Sequence, residues 1–204
     1  MDIRQVFFKN RSYTPIPIAL LIIYFASEQK PYWMLGVLML IFGESIRIWA
    51  VSYAGGKTRT RKVGAPKLCT AGPYAFSRNP LYFGNMFMYI GIALIAGAPN
   101  VLLMILIIFS FFLIQYTLIV ALEEETLTSL FGEAYLNYKK NVPAIFPRTK
   151  PWEAQSQTKR TPLLKTLKTE KRTLQNVFLI LALIYLKSQN ILYWLKQHIV
   201  FYFS

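Results

Sequence analysis

The sequence predicts an all-α integral membrane protein with four or five transmembrane helices, and three observations carry that expectation. Of 204 residues, 54% are hydrophobic and 16% charged, with a positive mean hydropathy, a balance wrong for a soluble domain of this length. Val101 to Leu122 is uncharged and long enough to cross a hydrocarbon core of about 30 Å. Leu81 to Ala98 is similarly apolar, and only the turn Gly97-Ala98-Pro99-Asn100 separates the two, which predicts a tight antiparallel hairpin over 81–122.

The net charge of +14 excludes few partners by itself, but the basic residues cluster beside apolar segments, where they set orientation and attract anionic headgroups. Membrane lipids are therefore the expected partner, and nucleic acid is not. Cys69 is the only cysteine and His198 the only histidine, so neither an internal disulfide nor a zinc site is expected. The first ten residues carry charge and the first apolar run lacks a small-residue cleavage site, so no cleavable signal peptide is expected.

Taken in order, residues 1–53 read as amino-terminal transmembrane helices. Arg4, Lys9 and Arg11 against Asp2 favour a cytoplasmic amino terminus. Pro15-Ile16-Pro17 opens an apolar run that reaches only to Ala26, short for a crossing. Tyr32 to Tyr53 reads as a full crossing with Tyr32 and Trp33 at one interface and Trp49 and Tyr53 at the other. Within it, Glu44 and Arg47 stand three residues apart on one face, where they can pair; an orienting ion pair and a ligand role are equally open.

Residues 54–147 read as the functional core around the 81–122 hairpin. Lys57, Arg59, Arg61, Lys62, Lys67 and Arg78 precede the hairpin without one acid, which places that loop in the cytoplasm. The chain returns to the same face at Glu123, and 123–140 reads as an amphipathic continuation of the preceding crossing, weakened at Gly132 and ended by Pro143 and Pro147. Residues 148–176 hold eight Lys or Arg against Glu153 and Glu170 and read as a basic linker. Residues 177–204 read as a membrane-associated segment, interrupted at Lys187-Ser188-Gln189-Asn190 and near His198.

Two polar stretches thus border the hairpin on one face. The first is Gly72-Pro73-Tyr74-Ala75-Phe76-Ser77-Arg78-Asn79-Pro80-Leu81-Tyr82-Phe83-Gly84, whose Gly-Pro and Asn-Pro dipeptides bend the backbone and leave N–H groups able to face a ligand, with Arg78 as a cation beside them. The second is Glu123-Glu124, followed by Leu127, Phe131-Gly132, Tyr135 and Tyr138. Singly, each has a plain account, as an interfacial turn or a polar helix cap; jointly and in this order they point to one binding site.

This pattern resembles the isoprenylcysteine carboxyl methyltransferase and phospholipid methyltransferase family over roughly residues 36–147. Members carry Gly-x-Tyr followed by Arg-His-Pro-x-Tyr-x-Gly; here Asn79 stands at the histidine and the rest is kept. The resemblance implies a pocket at the cytoplasmic face for S-adenosylmethionine, contacted by Pro66, Lys67, Leu68, Cys69, Tyr74, Asn79, Pro80, Leu81, Tyr82 and Glu123. Arg78 and Glu124 are the expected catalytic pair, Glu124 as proton acceptor should the methyl acceptor be a lipid amine. No metal is required for a direct displacement, only alignment in a dry pocket. Isoprenylcysteine methyltransferases place an arginine four residues ahead of the glutamate pair, and Ile119 stands there, so the lipid-like acceptor is left open. An NADPH-dependent membrane reductase and a non-enzymatic membrane scaffold are the alternatives.

Overall fold

The structure, a computed structural model, describes residues 2–55, 63–153 and 160–189. Among these there are seven α-helices and no strand: α1 (Ile3–Asn10), α2 (Ile16–Tyr24), α3 (Trp33–Ala54), α4 (Pro80–Ala96), α5 (Val101–Phe131), α6 (Glu133–Asn141) and α7 (Leu163–Ser188). Two of them, α3 and α5, are long and apolar enough to cross a membrane; α4 is equally apolar at 17 residues and rises about 26 Å at about 1.5 Å per residue.

The scaffold begins with α3 and α4, which run antiparallel along their whole length. Their backbones meet at paired glycines: a Cβ on Gly43 would stand 2.6 Å from the Gly84 carbonyl oxygen, and one on Gly36 would stand 2.6 Å from that of Gly91. Gly97 closes α4 in the left-handed region at φ 66°, and α5 starts at Val101 with the Asn100 side chain accepting from the Leu103 N–H. The hairpin expected over 81–122 is therefore present, with α5 running on unbroken to Phe131 before Gly132, at φ 51°, turns the chain into α6.

The bundle has two ends. At one, the turn after α4 is tied to the loop after α2, where the Ser27 N–H donates to the Ala96 carbonyl at 2.9 Å and its hydroxyl donates to that of Gly97 at 2.6 Å. At the other, α3 finishes, α4 begins, and α5 passes into α6. Helix α1 packs along α5 at this second end, where Arg4 pairs with Glu125 at 2.9 Å. The core between the helices is apolar and aromatic, with Ile22, Ile92, Ile108, Phe112, Ile119 and Ile184 fully enclosed.

Helix α7 differs from the sequence expectation. It starts at Leu163, within the residues read as a basic linker, and runs antiparallel to α3 from Thr161, whose N–H donates to the Ser52 carbonyl at 2.7 Å, to Ser188, whose hydroxyl accepts from Lys30 at 2.8 Å. The charge density of 163–176 masked an amphipathic helix: Glu170 and Thr166 turn inward while Leu163, Leu164 and Lys165 stay exposed. The expected interruption near His198, and the cations Lys57, Arg59, Arg61 and Lys62, lie outside the described residues.

Candidate functional site

Where the chain re-enters at α4, Gly72–Ala75 forms one turn of 3₁₀ helix and Asn79 precedes Pro80, the first residue of α4, a position whose missing N–H costs nothing. The bent backbone expected there exists, but its donors are used. The N–H groups of Arg78 and Asn79 donate to the carbonyls of Pro143 and Ala144 at 2.9 and 3.0 Å, and the Asn79 side chain donates to Ala144 as well, at 3.0 Å. Ser77 donates to the carbonyl of Ile145 at 2.9 Å. Residues 142–145, which follow α6, have been laid along this turn, and the open amide cradle that the dipeptides suggested is filled by protein.

Arg78 takes part in the same closure. Its guanidinium donates to the carbonyls of Val142 and Lys139 and pairs with Glu124, whose other carboxylate oxygen accepts from Lys139 at 2.7 Å. Arg78 and Glu124 therefore come together, with Lys139, as a three-member tie between α5, α6 and the turn before α4. Tyr135, Tyr138 and Val142 form a small enclosed cluster next to it, packed by Leu68, Leu127, Phe131 and Trp152. The Tyr138 hydroxyl donates to the Tyr74 carbonyl at 2.7 Å, and burial pushes both phenols above their ordinary range, so Tyr138 keeps the proton that this bond needs.

Glu123 faces elsewhere. Successive residues on a helix point about 100° apart, so the adjacent glutamates divide between two surroundings. The Tyr82 hydroxyl lies 3.0 and 3.1 Å from the two Glu123 oxygens, and the Tyr82 ring stacks on Tyr116 of α5 at 4.4 Å between centroids. Tyr74 and Arg11 lie near enough to interact electrostatically with Glu123, and Cys69 with Tyr74 and Tyr138. Leu68, Cys69, Tyr74, Asn79, Leu81, Tyr82 and Glu123 are all half-buried, while Pro80 is enclosed and Pro66 and Lys67 are exposed at the rim.

Sequence reading missed Arg11, Asn85 and Tyr116. Asn85 donates to the Tyr116 hydroxyl at 2.9 Å and accepts from Arg47 at 2.5 Å. The available signal was an amide and a phenol inside apolar helices, where unpartnered polar groups are costly. Arg47 does approach Glu44, at 3.5 Å, but its shorter ion pair is with Glu170 of α7, at 2.5 Å. An open groove of about 590 Å³ lies apart from all of this, on the outer face of α7 along Leu164, Leu167, Lys168, Lys171, Leu174 and Phe178.

The phospholipid methyltransferase family profile matches residues 32–134, the stretch that contains α3, α4, α5 and both members of the Tyr82 and Glu123 pair. The chain belongs to this family. Among individual proteins, it is 30% identical to the nickel-cobalt-cadmium resistance protein NccN of Alcaligenes xylosoxydans xylosoxydans, over 60% of this chain and 52% of that one. It is 35% identical to the protein-S-isoprenylcysteine O-methyltransferase of Rattus norvegicus and 34% identical to that of Homo sapiens, each over 55% of this chain and 40% of the relative. The match thus spans about half the length of these relatives or less.

Proposed function

We propose that this chain uses S-adenosylmethionine to methylate a lipid or lipid-like acceptor, as a multi-pass membrane protein whose site faces the cytoplasm. The observation that carries the proposal is the Tyr82–Glu123 pair: a carboxylate on an apolar helix, engaged by one phenol and set beside two stacked rings, within the family-matching stretch. The residues fit the cationic side of the cofactor. A sulfonium and an ammonium call for an anion in a largely apolar wall, and Glu123 with Tyr82, Tyr74 and Leu68 offers both.

S-adenosylmethionine, when bound, supplies an electrophilic methyl group. The chain's part is to bind, orient and exclude water. Glu123 balances positive charge, and Tyr82 fixes its orientation. Leu68, Cys69, Tyr74, Asn79, Pro80 and Leu81 wall the site, with Pro66 and Lys67 at its edge. Arg78 and Glu124 hold the wall closed instead of meeting the ligand, since both oxygens of Glu124 are already held by cations. Arg11, which donates to the Phe8 carbonyl at 2.7 Å and lies over the Phe8 ring, adds positive charge on the Glu123 side. Ile119 is fully enclosed and contributes packing.

The orientation rests on charge. Lys67, Arg78, Lys139, Lys140, Arg148 and Lys150 gather at the site end, against Lys30 and Lys187 near the other, an asymmetry that favours a cytoplasmic site. Calorimetry on the purified chain with S-adenosylmethionine and, separately, NADPH tests the assignment. Binding of the first and its loss in Glu123→Gln are expected; binding of NADPH alone would replace methyl transfer with reduction.

A further inference from the structure

Glu170 lies outside the family-matching stretch, on α7, and is 1% exposed. A carboxylate so deeply placed among apolar helices is costly unless paired. Its partner, Arg47, reaches it with one nitrogen at 2.5 Å, the same nitrogen donating to Thr173 at 3.2 Å, and uses the other nitrogen to donate to Asn85 at 2.5 Å. Asn85 passes the contact to Tyr116 at 2.9 Å, and Tyr116 is the ring on which Tyr82 stacks. The chain of contacts ends at Glu123.

The fold is shaped to admit this arginine: a Cβ on Gly84 would stand 2.8 Å from the Arg47 Cγ, so the stem passes where α4 has no side chain. Anchoring α7 to α3 would need only one cation facing one anion. The planar fork of arginine does more, because it fixes two acceptors on two helices at a set angle. With the Asn85 carbonyl oxygen held by Arg47, the amide must point its NH₂ at Tyr116, which fixes the phenol and the ring stacked on it.

We propose that Glu170 is a positioning residue for the methyl-transfer site, acting through Arg47, Asn85 and Tyr116 to set the Tyr82 ring that orients Glu123. This rests on the function proposed above. It makes α7 part of the working unit, although the helix lies outside the stretch by which the family is recognised.

The test measures S-adenosylmethionine affinity by calorimetry and melting temperature on the full chain in detergent, for wild type, Glu170→Gln, Arg47→Lys and Asn85→Leu. Lysine keeps the ion pair with Glu170 but cannot hold Asn85 as well, so it separates anchoring from positioning. Arg47→Lys should lose only a few degrees of melting temperature, from the Asn85 carbonyl oxygen it leaves unheld, and about tenfold in affinity, with Asn85→Leu losing a similar factor in affinity and Glu170→Gln losing affinity together with a larger share of stability. Wild-type affinity in Arg47→Lys and Asn85→Leu would overturn the inference and leave Glu170 as an anchor, whatever Glu170→Gln does. No binding by the wild type would remove the methyltransferase assignment itself, and this inference with it.

Discussion

Replacing Tyr82 with phenylalanine isolates the contact on which the functional assignment turns. The substitution removes one hydroxyl, the donor 3.0 and 3.1 Å from the two oxygens of Glu123, and leaves the ring that stacks on Tyr116. A hydrogen bond to a charged group contributes about 1.5–3 kcal/mol, and the half-buried setting places this one near the lower bound. Because the bond exists before any ligand arrives, its loss reaches affinity through the orientation of Glu123, and the expected fall is up to about tenfold, which is about 1.4 kcal/mol. The ring keeps its packing, so the melting temperature should fall by only a few degrees. Isothermal calorimetry with S-adenosylmethionine on wild type and variant in the same detergent reads the first quantity, and a thermal denaturation curve reads the second. An affinity unchanged within twofold, with or without a loss of stability, would refute the view that Tyr82 orients a ligand-facing carboxylate.

Three further outcomes follow from the geometry. Arg78→Ala removes the tie to Glu124, Val142 and Lys139 and leaves Glu124 to Lys139 alone, so it should cost about 1.5–3 kcal/mol of stability, read as a lowered melting temperature; retained stability with abolished cofactor binding would instead make it a ligand contact. Gly84→Ala puts a methyl 2.7 Å from the Gly43 carbonyl oxygen and 2.8 Å from the Arg47 side chain, and overpacking of this kind should cost about 1–3 kcal/mol, measured by thermal denaturation. In a Cys69→Ala background, a membrane-impermeant maleimide should label Lys67→Cys only from the cytoplasmic side and Asn100→Cys only from the opposite side; labelling of both from one side would contradict the proposed crossing.

The helices that carry the site were legible because their physics is local. Uncharged runs over 81–98 and 101–122 with a Gly-Ala-Pro-Asn break define α4, α5 and the turn between them without reference to anything distant. Tyr82 and Glu123 each lay in one of the two polar stretches that border this hairpin, but their roles came from the family resemblance, and the contact between them was not legible. What escaped was set by contacts far apart in sequence. Whether Arg78 meets a ligand or Glu124 depends on where 139–145 returns, and whether Glu170 belongs to a linker or to the core depends on Arg47, more than a hundred residues earlier. The density of lysine and arginine over 163–176 gave the composition of a solvated segment, because composition does not register which single acid of a helix turns inward.

The paired glycines of α3 and α4 have a mechanical consequence. With Gly36 against Gly91 and Gly43 against Gly84, neither helix can slide or roll past the other without driving side chains into main-chain oxygens, so the two move as one stiff board. A lipid-sized guest cannot part them. Under the function proposed above, its doorway has to lie somewhere other than between α3 and α4.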